Sequence, residues 1–443
     1  MQVSSETFAL TTRSYQESNT ALYRPALETL RTLIRTSTSS MTSVPKPLKF
    51  LRPTYPALQE LYETWTDSDD KALFAEILSV LAMTYSDTQP RGTLKYRLLS
   101  DSISSKESDP GSWGHEYVRH IAAELGSEYQ AREESGNDVA DILKLAISCS
   151  RFLLRHNAEA DAVDLLEELE SIHEIVELVD QNNYVRVCMY MVSCVNFLTP
   201  PDDVQFLETA HTLYIKYDRF PEAMALAIRL YNRDLIRSDF QAPANPLMRR
   251  QLAFIVGRSG IPLDWVLDPE QTEDDDLIEC LNNTKLTEHF RAFGKDVGAY
   301  EPKSLEDIYK SHLENTRVNV QGDSARANLA GTFVNAFVNA GFGNDKLMAT
   351  AQEGDSWVYK NKDHGMTSAA ASLGMSLLWD PDVGLTDVDK YTYLSDEKIK
   401  AGALLATGLL HTNIRNDQEP IIALLSDYVT EKSVPLKRSA IVG

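Results

Sequence analysis

Five groups of residues in this 443-residue chain have types and spacing that could do chemistry. His115 and His120 bracket Glu116 and approach the HExxH pattern, in which two imidazoles on one helical face hold zinc. That pattern needs histidines four apart. These are five apart, about 140° around a helix, so ordinary packing is the expected role, with a metal-dependent hydrolase as the alternative. Cys188 and Cys194 lie on an apolar stretch, where cysteine behaves as a small hydrophobe. Gly341-Phe342-Gly343 lacks the third glycine and the preceding strand of a dinucleotide fold, and neither GxxxxGK[ST] nor GxSxG occurs. The run Glu273–Asp276 lacks EF-hand spacing and reads as a solvated loop. The fifth group is Asp380–Asp389, where Asp380, Asp382, Asp387 and Asp389 surround Leu385 and Val388. It is either an inter-helix loop with capping and solvated aspartates, or part of a docking surface for a basic, partly apolar partner. In the second case Asp382, Asp387 and Asp389 steer the partner, and Leu385 and Val388 supply apolar contact.

Charge narrows the partners. Lys and Arg number 43 against 65 Asp and Glu, a formal net charge of −22. Nucleic acid and anionic membrane both require a basic face, so neither is an expected partner. The most apolar stretch, residues 184–198, contains Arg186 and Asn196 and is too short to span a bilayer; it reads as a buried helix. The opening residues MQVSSETFALTTRSYQ lack the apolar core of a signal peptide. Four cysteines without a CxxC pair fit a reducing compartment, cytoplasm or nucleus. Nothing nominates a cofactor, and none is expected.

The elements that must position these groups are helices. Gly (20) and Pro (18) are sparse, and no Asn-Gly, Asp-Gly or Gly-Gly hairpin signal occurs. Ser18-Asn19-Thr20 can cap a helix with apolar positions Leu22, Leu27, Leu30 and Ile34. Four prolines predict a non-helical connector over residues 44–56, followed by helices at about 56–65 and 71–85. A polar loop is expected over residues 101–112. From there helices come in pairs. One carries Val139, Ile142, Ala146 and Leu154, and its partner carries Ala162, Leu165, Leu166 and Leu169. Pro200-Pro201 ends the helix from Tyr184, Asp202 starts the next, and Pro221 and Asn245-Pro246 give two more start signals. Helical pairs of this length in series predict an α-solenoid. Residues 268–276 form an acidic loop, and 299–321 a polar linker.

The last hundred residues hold an internal repeat. Ser368–Gly374 (SAAASLG) aligns with Gly402–Gly408 (GALLATG), and Ser439–Gly443 begins the pattern again. Gly in a helix interior costs helix propensity, and Gly and Ala both lack side-chain bulk, so their recurrence predicts close helix–helix contact.

Several longer stretches carry a family resemblance: SSMTSVPKPLKFLRPTYPAL from Ser39, GSWGHEYVRHIAAEL from Gly111 and RFPEAMALAIRL from Arg219, with DSARANLAGTFVNAFVNAGFGNDKL from Asp323 and VYKNKDHGMTSAAASLGM from Val358. Through them the chain, from about Ser18, resembles the ubiquitin-receptor scaffold subunits in the base of the proteasome regulatory particle, members of the proteasome/cyclosome-repeat family. The larger paralogous scaffold is a poorer match. The family's charged N-terminal extension is replaced here by a short unrelated stretch, and the chain is expected to be a partial version stopping in its third repeat.

The resemblance implies an all-α fold, a helical-hairpin solenoid leading into the first repeats of an α-toroid. The expected organisation is N-terminal helices and connector over 1–111, solenoid over 112–298, linker and entry helices over 299–357, and repeats over 358–443. It also implies a non-catalytic scaffold and receptor that contacts proteasome ATPase subunits, ubiquitin chains, ubiquitin-like shuttle factors and a deubiquitinase. In the family one ubiquitin-like docking region lies near these first repeats, which makes Asp382, Leu385, Asp387, Val388 and Asp389 candidate contacts. Without the resemblance, an acidic adaptor or coat-type solenoid fits the same residues.

Overall fold

A computed structural model of the chain describes residues 22–36, 46–104, 108–268, 274–308, 324–348, 357–416 and 420–443. Among them every regular element is a helix and none is a strand. The fold is the expected all-α one. The chain divides into two compact units, residues 1–219 and 220–443. The expected cap at Ser18–Thr20, Glu273 and most of the 299–321 linker fall outside the described residues. Asp274–Asp276, expected as a solvated loop, instead start a helix, where Asp274 and Asp276 pair with Arg250 at 2.8 and 2.9 Å.

In the first unit the helices of eight residues or more are α1 (Tyr23–Thr36), α2 (Tyr55–Glu63), α3 (Asp69–Ala82), α4 (Gly92–Ile103), α5 (His115–Ser135), α6 (Ala140–Arg155), α7 (Glu159–Glu168), α8 (Tyr184–Cys194) and α9 (Asp202–Lys216). Helix α3 starts where the Ser68 hydroxyl accepts the Lys71 N–H, and every residue from Ala72 to Ala82 is buried. A helix apolar on all sides must be central. Helices α1, α2 and α4 pack around it, and the pairs α6–α7 and α8–α9 follow. Two buried polar side chains of this unit are fixed by partners. The Arg97 guanidinium, 2% exposed, donates to Asp101 and Ser108, and the Ser79 hydroxyl donates to the Thr93 carbonyl at 2.6 Å. An unpaired buried group would forfeit about 1–3 kcal/mol.

The proline-rich connector is more helical than its composition predicts. Lys46–Leu51 is a short helix and Arg52–Thr54 a 3₁₀ turn running into α2. Pro47, Pro53 and Pro56 each occupy a first turn, where a missing N–H leaves no bond unmade.

The second unit contains α10 (Phe220–Arg229), α11 (Arg233–Gln241), α12 (Pro246–Arg258), α13 (Asp275–Asn282), α14 (Leu286–Asp296), α15 (Ser324–Val338), α16 (His364–Ser376), α17 (Pro381–Thr392), α18 (Glu397–Leu410), α19 (Pro420–Val429) and α20 (Val434–Val442). Pro221 sits in the first turn of α10 as predicted, but that helix ends at Arg229. Asn232 then caps α11, a helix absent from the sequence reading, by accepting the Asp234 and Leu235 N–H groups. Asn245 caps α12 in the same way.

The repeat behaves as its small residues require. A Cβ on Gly402 would lie 2.4 Å from the Thr367 carbonyl oxygen and 2.6 Å from Ala370 Cβ, and one on Gly374 would lie 2.5 Å from the Ala406 carbonyl oxygen. Thr367 and Ala370 therefore meet Gly402 while Gly374 meets Ala406, so α16 and α18 run parallel with backbones in contact. Gly408 meets Gly443 in the same manner.

Candidate functional site: the acidic helix of the first repeat

The aspartate-rich segment is not a loop. Asp380 caps α17 by accepting the Val383 N–H at 3.4 Å, and Pro381 fills the first turn. The segment's spacing is therefore that of a helix surface, and its residues divide between two faces. Gly384 and Val388, one turn apart, face inward. A Cβ on Gly384 would lie 3.3 Å from Leu410 Cδ2, and Val388 is 1% exposed. Leu385 and Tyr391 pack against the same core, which includes Val358, Leu373, Leu377, Ile399 and Leu410. Leu385 and Val388 thus hold the helix down, correcting the expectation that they offer apolar contact to a partner.

The outward stripe is Asp382, Thr386, Asp389 and Tyr393, with Val383 and Lys390 beside it. Tyr393 is 81% exposed and Val383 52%. Asp389 accepts a hydrogen bond from the Thr392 hydroxyl at 3.1 Å. Asp387 is half-buried and pairs with Lys390 at 2.8 Å, so much of its charge is neutralised locally. Of the expected contacts, Asp382 and Asp389 share an exposed face, Asp387 lies at its edge, and the two apolar residues lie beneath it. The exposed apolar groups of this face, Val383 and Tyr393, were missed. Read as a helix from the Asp380-Pro381 start signal, the spacing 382, 386, 389, 393 would have found Tyr393.

Asp380 stands apart from this face. Its carboxylate is mostly buried and pairs with Arg291 of α14 at 2.8 Å. Arg291 also lies against Gly343, where a Cβ would collide with the guanidinium. The Gly341-Phe342-Gly343 turn is a helix stop. With positive φ at both glycines, its Gly341 and Gly343 N–H groups donate to the Met375 and Ser376 carbonyls at the end of α16. Next to it the fully buried Asp345 accepts the Ser376 hydroxyl at 2.6 Å and the Leu347 N–H at 2.8 Å.

The remaining motifs serve packing. His115 packs edge-on against His156, ring centroids 4.5 Å apart, whereas His120 Nε2 lies 3.0 Å from Glu124 Oε1. The two imidazoles therefore have different neighbours. Cys149 and Cys188 are buried, and burial pushes each thiol up to about 12. Among the described residues no helix is long and apolar enough to cross a membrane.

Comparison with known proteins bears on the same segments. A family model described as the RPN1 N-terminal domain matches residues 9–314. The chain is 53% identical over 434 residues to the 26S proteasome regulatory subunit rpn-1 of Neurospora crassa, covering 96% of this chain and 47% of that protein. It is 46% identical to 26S proteasome regulatory subunit rpn1 of Schizosaccharomyces pombe (93% and 45% covered). Identity to 26S proteasome non-ATPase regulatory subunit 2 homolog A of Arabidopsis thaliana is 45% (91% and 46% covered). The chain spans about half the length of the curated relatives it matches.

Proposed function

Because the chain belongs to the Rpn1 family of 26S proteasome regulatory subunits, we propose that it is a non-catalytic scaffold and receptor of the regulatory particle, working in the cytoplasm and nucleus. In this reading it contacts the proteasome ATPase subunits and docks ubiquitin chains, ubiquitin-like shuttle factors and a deubiquitinase. The receptor half is supported by one observation. Helix α17 is pinned from below by Val388 and at its start by Asp380, and turns Asp382, Asp389 and Tyr393 outward on one stripe. A rigid stripe of two carboxylates and an aromatic ring suits a basic, partly apolar face, with the charges setting approach and orientation and the ring supplying contact area.

Titration with the ubiquitin-like domain of a proteasomal deubiquitinase tests this. Asp382→Lys with Asp389→Lys should weaken binding roughly tenfold at low salt and less at high salt, since exposed charges are screened. Tyr393→Ala should weaken it at both. Unchanged affinity in folded variants at low ionic strength would remove α17 from the receptor surface. The scaffold half is tested by co-purification with the ATPase subunits. An adaptor or coat protein would leave them behind.

A further inference from the structure

Residues 184–198 are apolar enough for a wholly buried helix, yet only one face of α8 is covered. Val185 is 36% exposed, Met189 63% and Phe197, in the turn after the helix, 88%. They lie on one i, i+4 ridge about 18 Å long that winds roughly 120° around the helix, with the exposed Ser193 between Met189 and Phe197. Their surroundings are strongly charged. Residues 159–208 contain twelve carboxylates and a single basic residue, Arg186, which gives this stretch half of the chain's net charge of −22. Arg186 is itself committed to Glu159. Tyr190, on the side of α8 that faces α7, donates its hydroxyl to Asp164 at 2.7 Å, which places the acidic helix α7 alongside the ridge. Beyond Asp164 come Glu167 and Glu168, and Asp202 at the start of α9. Among the described residues no lysine or arginine pairs with Glu167, Glu168 or Asp202. Burial raises the Glu167 carboxyl above its ordinary range, with Asp202, Glu168 and Asp164 adding to the rise. The carboxylates crowd one another without a cation.

We propose that this face of the first unit docks a basic amphipathic helix of a partner protein. Two or three apolar residues at one-turn spacing would lie along Val185, Met189 and Phe197, and lysines or arginines at their edge would meet Asp164, Glu167 and Asp202. The chemistry selects among occupants. Nucleic acid and anionic lipid are repelled, and a second copy of this chain would set two acidic faces against each other. An i, i+4 ridge on a helix packs into the groove between the ridges of another helix, whose apolar residues recur at i, i+4 positions. The surface is separate in sequence from α17 and does not depend on the receptor reading.

The test uses the whole chain and a synthetic peptide of about 14 residues, roughly 20 Å as a helix, with leucines on one face and lysines on both flanks. A scrambled peptide of identical composition is the control. Fluorescence anisotropy should show the amphipathic peptide binding, and the scrambled one binding roughly tenfold more weakly or worse. Met189→Ser with Phe197→Ser, both on exposed side chains, should cost the amphipathic peptide roughly tenfold while melting is unchanged. Glu167→Gln with Asp202→Asn should weaken binding and flatten its salt dependence. Equal binding of the two peptides would mean charge adsorption alone and overturn the proposal. So would unaltered affinity in the folded Met189/Phe197 variant, no binding to the wild-type chain, or self-association through this face in sedimentation.

Discussion

Arg291 Nη2 lies 2.8 Å from Asp380 Oδ2, joining α14 to the residue that starts α17. Asp380 does two things at once: it caps its own helix and it neutralises a guanidinium from outside the repeat. The pair is largely desolvated, with side-chain exposures of 24% and 11%, so breaking it from one side strands a charge. Arg291→Ala should destabilise the second unit by about 2–3 kcal/mol in urea unfolding, toward the range for severed buried pairs. Asp380→Asn keeps a capping side chain, so its loss reports the pair alone. A double-mutant cycle should give a coupling of at least ~1 kcal/mol, and a coupling near zero would make the contact incidental.

Contact between α16 and α18 depends on missing side chains. Gly402→Ala and Gly374→Ala would each push a methyl group to about 2.5 Å from backbone oxygens that cannot swing away, and overpacking of this kind costs about 1–3 kcal/mol or more. Both should lower the thermal midpoint of the second unit. Gly384→Ala is the control. Its nearest neighbours are the flexible ends of Leu410 and the Cβ of Leu377 at 3.3 and 3.4 Å, so it should cost distinctly less. Equal losses at all three would contradict close backbone packing as the cause.

The two parallel helices were legible because glycine and alanine recurred at matching positions, and the solenoid helices because their start signals were Pro221, Asn245-Pro246 and a 3–4 apolar spacing. The site was legible only in part. Asp380–Asp389 was recognised by composition, but four aspartates in ten residues look like a loop until Asp380 is seen as a cap. Once the segment is helical, Val388 must turn inward and Tyr393 outward. Arg291 left no local signal at all, because its partner lies far along the chain. The exposure of Met189 and Phe197 was hidden for the opposite reason: an apolar run reads as buried on all sides unless the neighbours of each face are known.

The cysteines should behave as core residues. With burial raising the Cys149 and Cys188 thiols to about 12, roughly one in ten thousand is a thiolate at pH 8, and both are 0% exposed. Iodoacetamide at pH 8 should leave them unmodified in the native chain and label both in urea, as read by peptide mass spectrometry. Native labelling of Cys188 would mean that α8 opens from α9, where the Cys188 thiol now donates to the Ala210 carbonyl.

His115 should make the first unit pH-sensitive. Its imidazole lies edge-on to His156 and against Phe152. Burial lowers its pKa below the ordinary 6.5, and His156 and Arg119 push the same way, with Glu116 opposing them. In the unfolded chain those neighbours are gone, so between the lowered value and about 6.5 the unfolded state binds the extra proton. Stability from this residue is therefore complete above pH ~6.5 and is lost as the pH falls through the interval below it. His115→Phe keeps an aromatic ring against Phe152 and His156 but cannot titrate. The urea midpoint of the wild-type chain should fall between pH 7.5 and pH 5.5 by more than that of the variant. A parallel pH dependence in the two proteins would assign the acid sensitivity to other groups.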